Sequence, residues 1–184
     1  MQGCGTSRKD DRLDIAVFPG TFHPVTAGHM DIIRRGAAMF GMLVVAVAAQ
    51  HGKAGALPAD ERAELLRLAI GAEGISNVRV EIFDGLVVDF AARVGARCIL
   101  RGLRNTADFL YEQPMAQLNR GLRAEVETLC LMSAPEVAYI SSSRVREIAA
   151  LGGDISGLVP QALQARIAAI YGSSVTDEGS RTHG

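Results

Sequence analysis

The twelve residues from Phe18 to His29 (Phe-Pro-Gly-Thr-Phe-His-Pro-Val-Thr-Ala-Gly-His) restrict the possible folds of this chain more than any other stretch. The apolar run Leu13–Val17 before them reads as a buried strand, and Met30, Ile33, Ala37 and Phe40 after them recur at helical spacing. Gly20 and Gly28 therefore fall in a strand-to-helix turn, with His29 in the first turn of the helix. Open α/β sheets bind ligands there, outside the carboxyl ends of their strands. The free N–H groups and positive dipole end of the helix favour a phosphate. The spacing predicts that Gly20 lets the backbone approach that phosphate and that Gly28 lets the helix start pack closely on the strand. Taken alone, His29 is most simply a cap or a surface residue, and Thr-x-Gly-His is a short motif. The prediction of a nucleotide or phosphate site comes from all these parts sharing one turn after one strand.

The rest of the chain repeats the alternation. Strand-like runs occur at Asp14–Phe18, Leu43–Ala49, Val78–Phe83, Arg97–Leu100 and Glu127–Met132. Helical patterns occupy Gly28–Phe40, Ala59–Ile70, Leu86–Val94 and Ala107–Leu122, with two closing helices at Ser142–Leu151 and Gln161–Tyr171. Continuous apolar strands alternating with helices predict an α/β fold: one doubly wound parallel sheet, Rossmann-like, with right-handed crossovers and C-terminal helices. Pro114 falls inside the fourth helical pattern, where it should kink the helix or displace its start. The expected organisation is a disordered extension at 1–12, one domain at 13–171 and a disordered Gly/Ser-rich tail at 172–184.

Composition narrows the function. A net charge of −1 supplies no global basic field, and Trp is absent, so nucleic acid is not the expected partner. Cys4, Cys98 and Cys130 have no metal-like spacing, and Cys98 and Cys130 read as buried thiols. No apolar run approaches a membrane span and no apolar leader is visible, so a cytoplasmic protein is expected.

Three further clusters should meet the first turn at the sheet edge. Lys53 lies in the Gly-rich loop Gln50–Gly55 after the second strand, where it is either solvated or within reach of the ligand crevice. Arg101 and Arg104 flank Gly102 and Leu103 after the fourth strand, with Asp108, Tyr111 and Glu112 following on a helix. Arginine forks match phosphate geometry, but an ion-pair network with Asp108 and Glu112 explains them equally well. Ser141, Ser142 and Ser143 precede a helix, as an N-cap centred on Ser142 or as a second phosphate-binding helix start. Neither a P-loop nor a Gly-x-Gly-x-x-Gly after the first strand is present. Convergent cationic and donor groups on one crevice suit phosphoryl or nucleotidyl transfer without a covalent intermediate.

Pro19-Gly20-Thr21-Phe22, Thr26-x-Gly28-His29, Arg101–Arg104 with Ala107-Asp108-Phe109 and Tyr111-Glu112, Asn119-Arg120, and Tyr139–Ser143 together resemble the bacterial phosphopantetheine adenylyltransferase family, from about Asp14 to Tyr171. The resemblance implies transfer of AMP from ATP to 4′-phosphopantetheine, with Mg²⁺ and a homohexamer. It implies catalytic roles for His29, Lys53 and Arg104. It places Thr21, Lys53, Val87 and Arg101 against the acceptor. It places Thr21, Phe22, His29, Gly102, Leu103, Arg104, Glu112 and the run Val137, Ala138, Tyr139, Ile140, Ser141, Ser142 and Ser143 against ATP. His23 stands where the family usually has Asp, beside the expected phosphate turn, and Val137 where an aromatic residue is common. The alternatives are a sister enzyme using another phosphorylated acceptor, such as nicotinate mononucleotide, and a catalytically weak nucleotide-binding protein.

Overall fold

Apolar residues at alternate positions of the inner strands give this sheet two buried faces. In the computed structural model, which describes residues 13–49 and 57–172, Ala16 and Phe18 pack into one core and Val17 into another. The strands are β1 (Leu13–Gly20), β2 (Phe40–Ala48), β3 (Val78–Phe83), β4 (Cys98–Leu103) and β5 (Glu127–Met132). They form one parallel sheet in the order β3-β2-β1-β4-β5. The helices are α1 (Ala27–Met39), α2 (Ala59–Ala72), α3 (Val87–Arg93), α4 (Thr106–Leu122), α5 (Ser142–Ala150) and α6 (Gln164–Gly172), the last preceded by a 3₁₀ turn at Gln161–Leu163.

The larger core joins Met30, Ile32 and Ile33 of α1, Leu65, Leu66 and Ile70 of α2, Val145 of α5 and Ile167 of α6. The smaller joins Val17, Val44 and Ile99 to Val88, Phe90 and Ala91 of α3. Helices on both faces are what right-handed crossovers require when the chain winds outward from β1 to β3 and then returns to β4. The direction of winding reverses between β1 and β4, so the crevice for a ligand opens at their carboxyl ends.

Sequence and structure differ mainly at element ends. β1 runs on to Gly20, and β4 runs from Cys98 to Leu103. Arg101, Gly102 and Leu103 therefore lie within β4 and not after it, because β5 pairs with them through Cys130, Leu131 and Met132. α4 continues from Thr106 to Leu122 through Pro114, with Asn105 as its N-cap, so the proline does not displace the helix start. The expected extension 1–12, the loop 50–56 with Lys53, and residues 173–184 lie outside the described residues.

Candidate active site

Thr26 and His29 close the start of α1 as a reciprocal cap. The His29 N–H donates to Thr26 Oγ1 (3.3 Å), and the Thr26 N–H donates to His29 Nδ1 (3.0 Å). An Nδ1 that accepts a backbone N–H carries no proton, so the neutral ring keeps its proton on Nε2. Burial, then the positive charges of Arg104 and Arg101, hold the His29 pKa down at about 4. His29 is thus a neutral N–H donor, with its ring set edge-on against Phe22 at 5.0 Å. In the first turn, the N–H groups of Ala27 and Met30 go to the carbonyls of Leu158 and Thr26. With His29 also engaged, the Gly28 N–H on the cavity wall is the one left for a ligand.

Phe22 sits in the left-handed region at φ 49°, a strained conformation for a bulky residue, and is 1% exposed. Gly20 serves this ring: a Cβ there would lie 2.9 Å from Phe22 Cζ. Close packing of Phe22 thus calls for a glycine here, and Gly20 also lines the cavity. A Cβ on Gly28 would meet the Val137 carbonyl at 3.5 Å, an ordinary contact, so the packing need inferred for Gly28 is weak.

Arg101 forms a fork on Glu112, from Nε (2.9 Å) and Nη2, and Nη1 donates to the Pro19 carbonyl (2.9 Å). Arg104 forms a second fork on Asp108, from Nε and Nη2, both at 2.9 Å. Hydrogen bonding from Arg104 holds the Asp108 carboxyl below its usual range. Both ion pairs weighed from sequence are therefore made. They use three of the five N–H groups of Arg101 and two of those of Arg104, leaving donors on each guanidinium for an anion.

Ser141, not Ser142, is the N-cap of α5, its Oγ accepting from the Arg144 N–H. Ser142 Oγ instead donates to the Pro24 carbonyl (2.8 Å), tying α5 to the first turn. His23 departs furthest from its expected place. It is buried at 4%, its Nε2 accepts from the Leu57 N–H (3.2 Å), and its ring packs on Tyr171. It does not line the cavity, so it belongs to the support under the turn and not to the phosphate side.

A cavity of about 510 Å³ opens at the β1/β4 switch point. Thr21, Phe22, His29, Val87, Arg101, Gly102, Arg104, Glu112, Ile140, Ser141 and Ser142 line it, which gathers most of the expected site. Leu103, Val137, Ala138, Tyr139 and Ser143 do not line it, and the Leu103 side chain is buried. Met115 and Thr128, to which the sequence gives no place, and Asn119, which it gives only within the Asn119-Arg120 pair, also line the cavity. Asn119 is only 9% exposed and, with Glu112, makes up the buried part of α4; the Asn119-Arg120 pair was the signal the sequence offered for it. Among the described residues no three His, Cys, Asp or Glu side chains gather as a metal site. Asp108 and Glu112, the carboxylates on the wall, are both held by arginines.

Donors converge at the switch point of this parallel sheet, and the sequence profile of the cytidylyltransferase-like family, a class of nucleotidyltransferases, matches residues 17–148. A solved structure of a protein assigned as a nicotinate-nucleotide adenylyltransferase from Vibrio parahaemolyticus superposes with a TM-score of 0.65 over 84% of this chain and 98% of that one. At 16% identity it shows the fold alone. The phosphopantetheine adenylyltransferase of Heliobacterium modesticaldum is 47% identical over 89% of this chain and 96% of its own length. Those of Rubrobacter xylanophilus and Stenotrophomonas maltophilia are 48% and 51% identical, over 88% and 81% of this chain and 98% and 87% of their own lengths. The chain belongs to the phosphopantetheine adenylyltransferase family.

Proposed function

We propose that this protein transfers the adenylyl group of ATP to 4′-phosphopantetheine, giving dephospho-coenzyme A and pyrophosphate, as a cytoplasmic enzyme. The observation that carries the reading is the convergence of neutral His29, Arg101, Arg104 and the α5 start on one cavity. A phosphate oxygen of the acceptor attacks the α-phosphorus of ATP in line. The bond from that phosphorus to the bridging oxygen breaks, and pyrophosphate leaves with the electron pair. The protein positions the two substrates and stabilises charge. The His29 Nε2–H donates to an α-phosphoryl oxygen, an interaction that strengthens as charge builds there. Thr21, Val87 and Arg101 face the acceptor, Thr21 reaching ATP as well, with Lys53 joining them as the family resemblance implies. Arg104, Gly102, Glu112, Ile140 and the α5 start face ATP, and the family resemblance adds Leu103, Val137, Ala138, Tyr139 and Ser143, which lie off the cavity wall.

Mg²⁺, which the family resemblance implies, enters this reading as the counter-ion of ATP. The family resemblance also implies a homohexamer. The exposed apolar face of α4, with Leu110 64%, Leu118 61% and Leu122 58% exposed, supports self-association.

Lysine replacements at the two arginines test the assignment, because each loses its planar fork and keeps its charge. Arg101→Lys should mainly raise the KM for phosphopantetheine, and Arg104→Lys mainly that for ATP, each by about 10-fold or more, the effect of losing about one charge-assisted hydrogen bond. Unchanged kinetics for both substrates in both variants would assign these arginines to structural ion pairs.

A further inference from the structure

Arg62, on α2, is 1% exposed, and among the described residues no carboxylate pairs with it. Its guanidinium donates to main-chain carbonyls: Nε to Leu57 (2.9 Å), Nη1 to Thr21 (2.6 Å), and Nη2 to Ala48 (2.9 Å) and Ala49 (3.4 Å). These acceptors belong to three separate segments. Thr21 follows β1, Ala48 ends β2 and Ala49 follows it, and Leu57 precedes α2. Thr21 and Ala48 both line the cavity.

Burying a guanidinium without a counter-ion is costly, and an apolar side chain of similar volume would fill the space with less loss. What the arginine adds is geometry. Its planar fork fixes the directions of its donors, so the three segments are locked to one another at the edge where the substrates meet. The first turn receives similar bonds elsewhere: Arg101 donates to the Pro19 carbonyl, Ser142 to that of Pro24 and Arg146 to that of His23. Carbonyl oxygens engaged by these donors are not left to repel a phosphate.

We propose that Arg62 is a positioning residue of the active site, holding the end of β2 and the residue after β1 in the register that shapes the acceptor side of the cavity. This rests on the reaction assigned above. No contact joins Arg62 to the cavity space itself, so it acts through Thr21 and Ala48.

The test uses the full chain with Arg62→Lys and Arg62→Met. Circular dichroism and the thermal midpoint report folding, calorimetry reports ATP and phosphopantetheine binding, and steady-state kinetics report turnover. Folded Arg62→Lys should bind ATP within about threefold of wild type. Its kcat/KM for phosphopantetheine should fall about 10- to 100-fold, the scale set by ångström misplacement of reacting groups. Arg62→Met should fall at least as far. Wild-type kinetics per folded molecule, equal losses for ATP and acceptor, or failure of both variants to fold would each overturn the proposal and leave Arg62 a structural residue. Wild-type protein that neither binds nor adenylylates phosphopantetheine would contradict the reaction itself. Wild-type turnover with an undiminished Arg62→Lys would contradict only the role of Arg62.

Discussion

His29 has both ring nitrogens committed before any substrate arrives, Nδ1 to the Thr26 N–H and Nε2 to carrying the proton. The charged form is disfavoured by burial and by two arginines, so the ring stays neutral down to about pH 4. In nitrogen NMR of the substrate-free protein, His29 should titrate near 4 as the Nε2–H tautomer; a midpoint near the ordinary 6.5, or the Nδ1–H tautomer, would contradict this. The sign for stability follows. Below about pH 6.5 the unfolded chain takes up a proton that folded His29 refuses, so this residue's share of stability is lost as pH falls from there towards 4. The place of His29 was legible in sequence because a cap position and a helical period fix it together. The place of His23, six residues earlier, was not. Its direction depends on a turn containing left-handed Phe22, and its partners, Leu57 and Tyr171, are distant in sequence. Ser142 was misplaced by one residue for a similar reason: its bond to Pro24 exists only after tertiary packing.

At the scale of elements, apolar periodicity located the strands and helices of the described residues, most firmly β1, β2 and α1, which bury regular stripes. It could not show how β5 pairing draws Arg101–Leu103 into β4. Nor could it show how closely α1 lies on the sheet. Gly36 of α1 has no room for a methyl group: a Cβ would lie 2.8 Å from Leu100 Cδ2 and 3.1 Å from Leu43 Cδ2, both in the buried core. Gly71 of α2 has nothing within 4 Å of a Cβ. Gly36→Ala should therefore destabilise the protein by about 1–2 kcal/mol, overpacking outweighing the gain in helix propensity. Gly71→Ala should stabilise it by about 0.5–1 kcal/mol. Denaturant unfolding measures both, and a stabilised Gly36→Ala would mean that α1 can move off the sheet at little cost.

For the whole molecule, the strand order puts the winding reversal between β1 and β4, and the chemistry follows from that topology. Groups spread from Thr21 to Ser142 meet because they all sit at one edge. The apolar outer face of α4 remains uncovered in the single chain. If copies associate through it, light scattering should report a mass near six chains for wild type and a smaller mass for Leu118→Glu, a residue that does not line the cavity. A monomeric wild type would remove this role for α4.

The central claim is that this cavity joins ATP to the phosphate of phosphopantetheine. Pyrophosphate release, followed with ATP and a panel of phosphorylated acceptors, tests it most directly. The account predicts release that depends on 4′-phosphopantetheine, with one dephospho-coenzyme A formed per pyrophosphate, and little or none with nicotinate mononucleotide. ATP binding without acceptor-dependent release, or release that follows nicotinate mononucleotide instead, would contradict it.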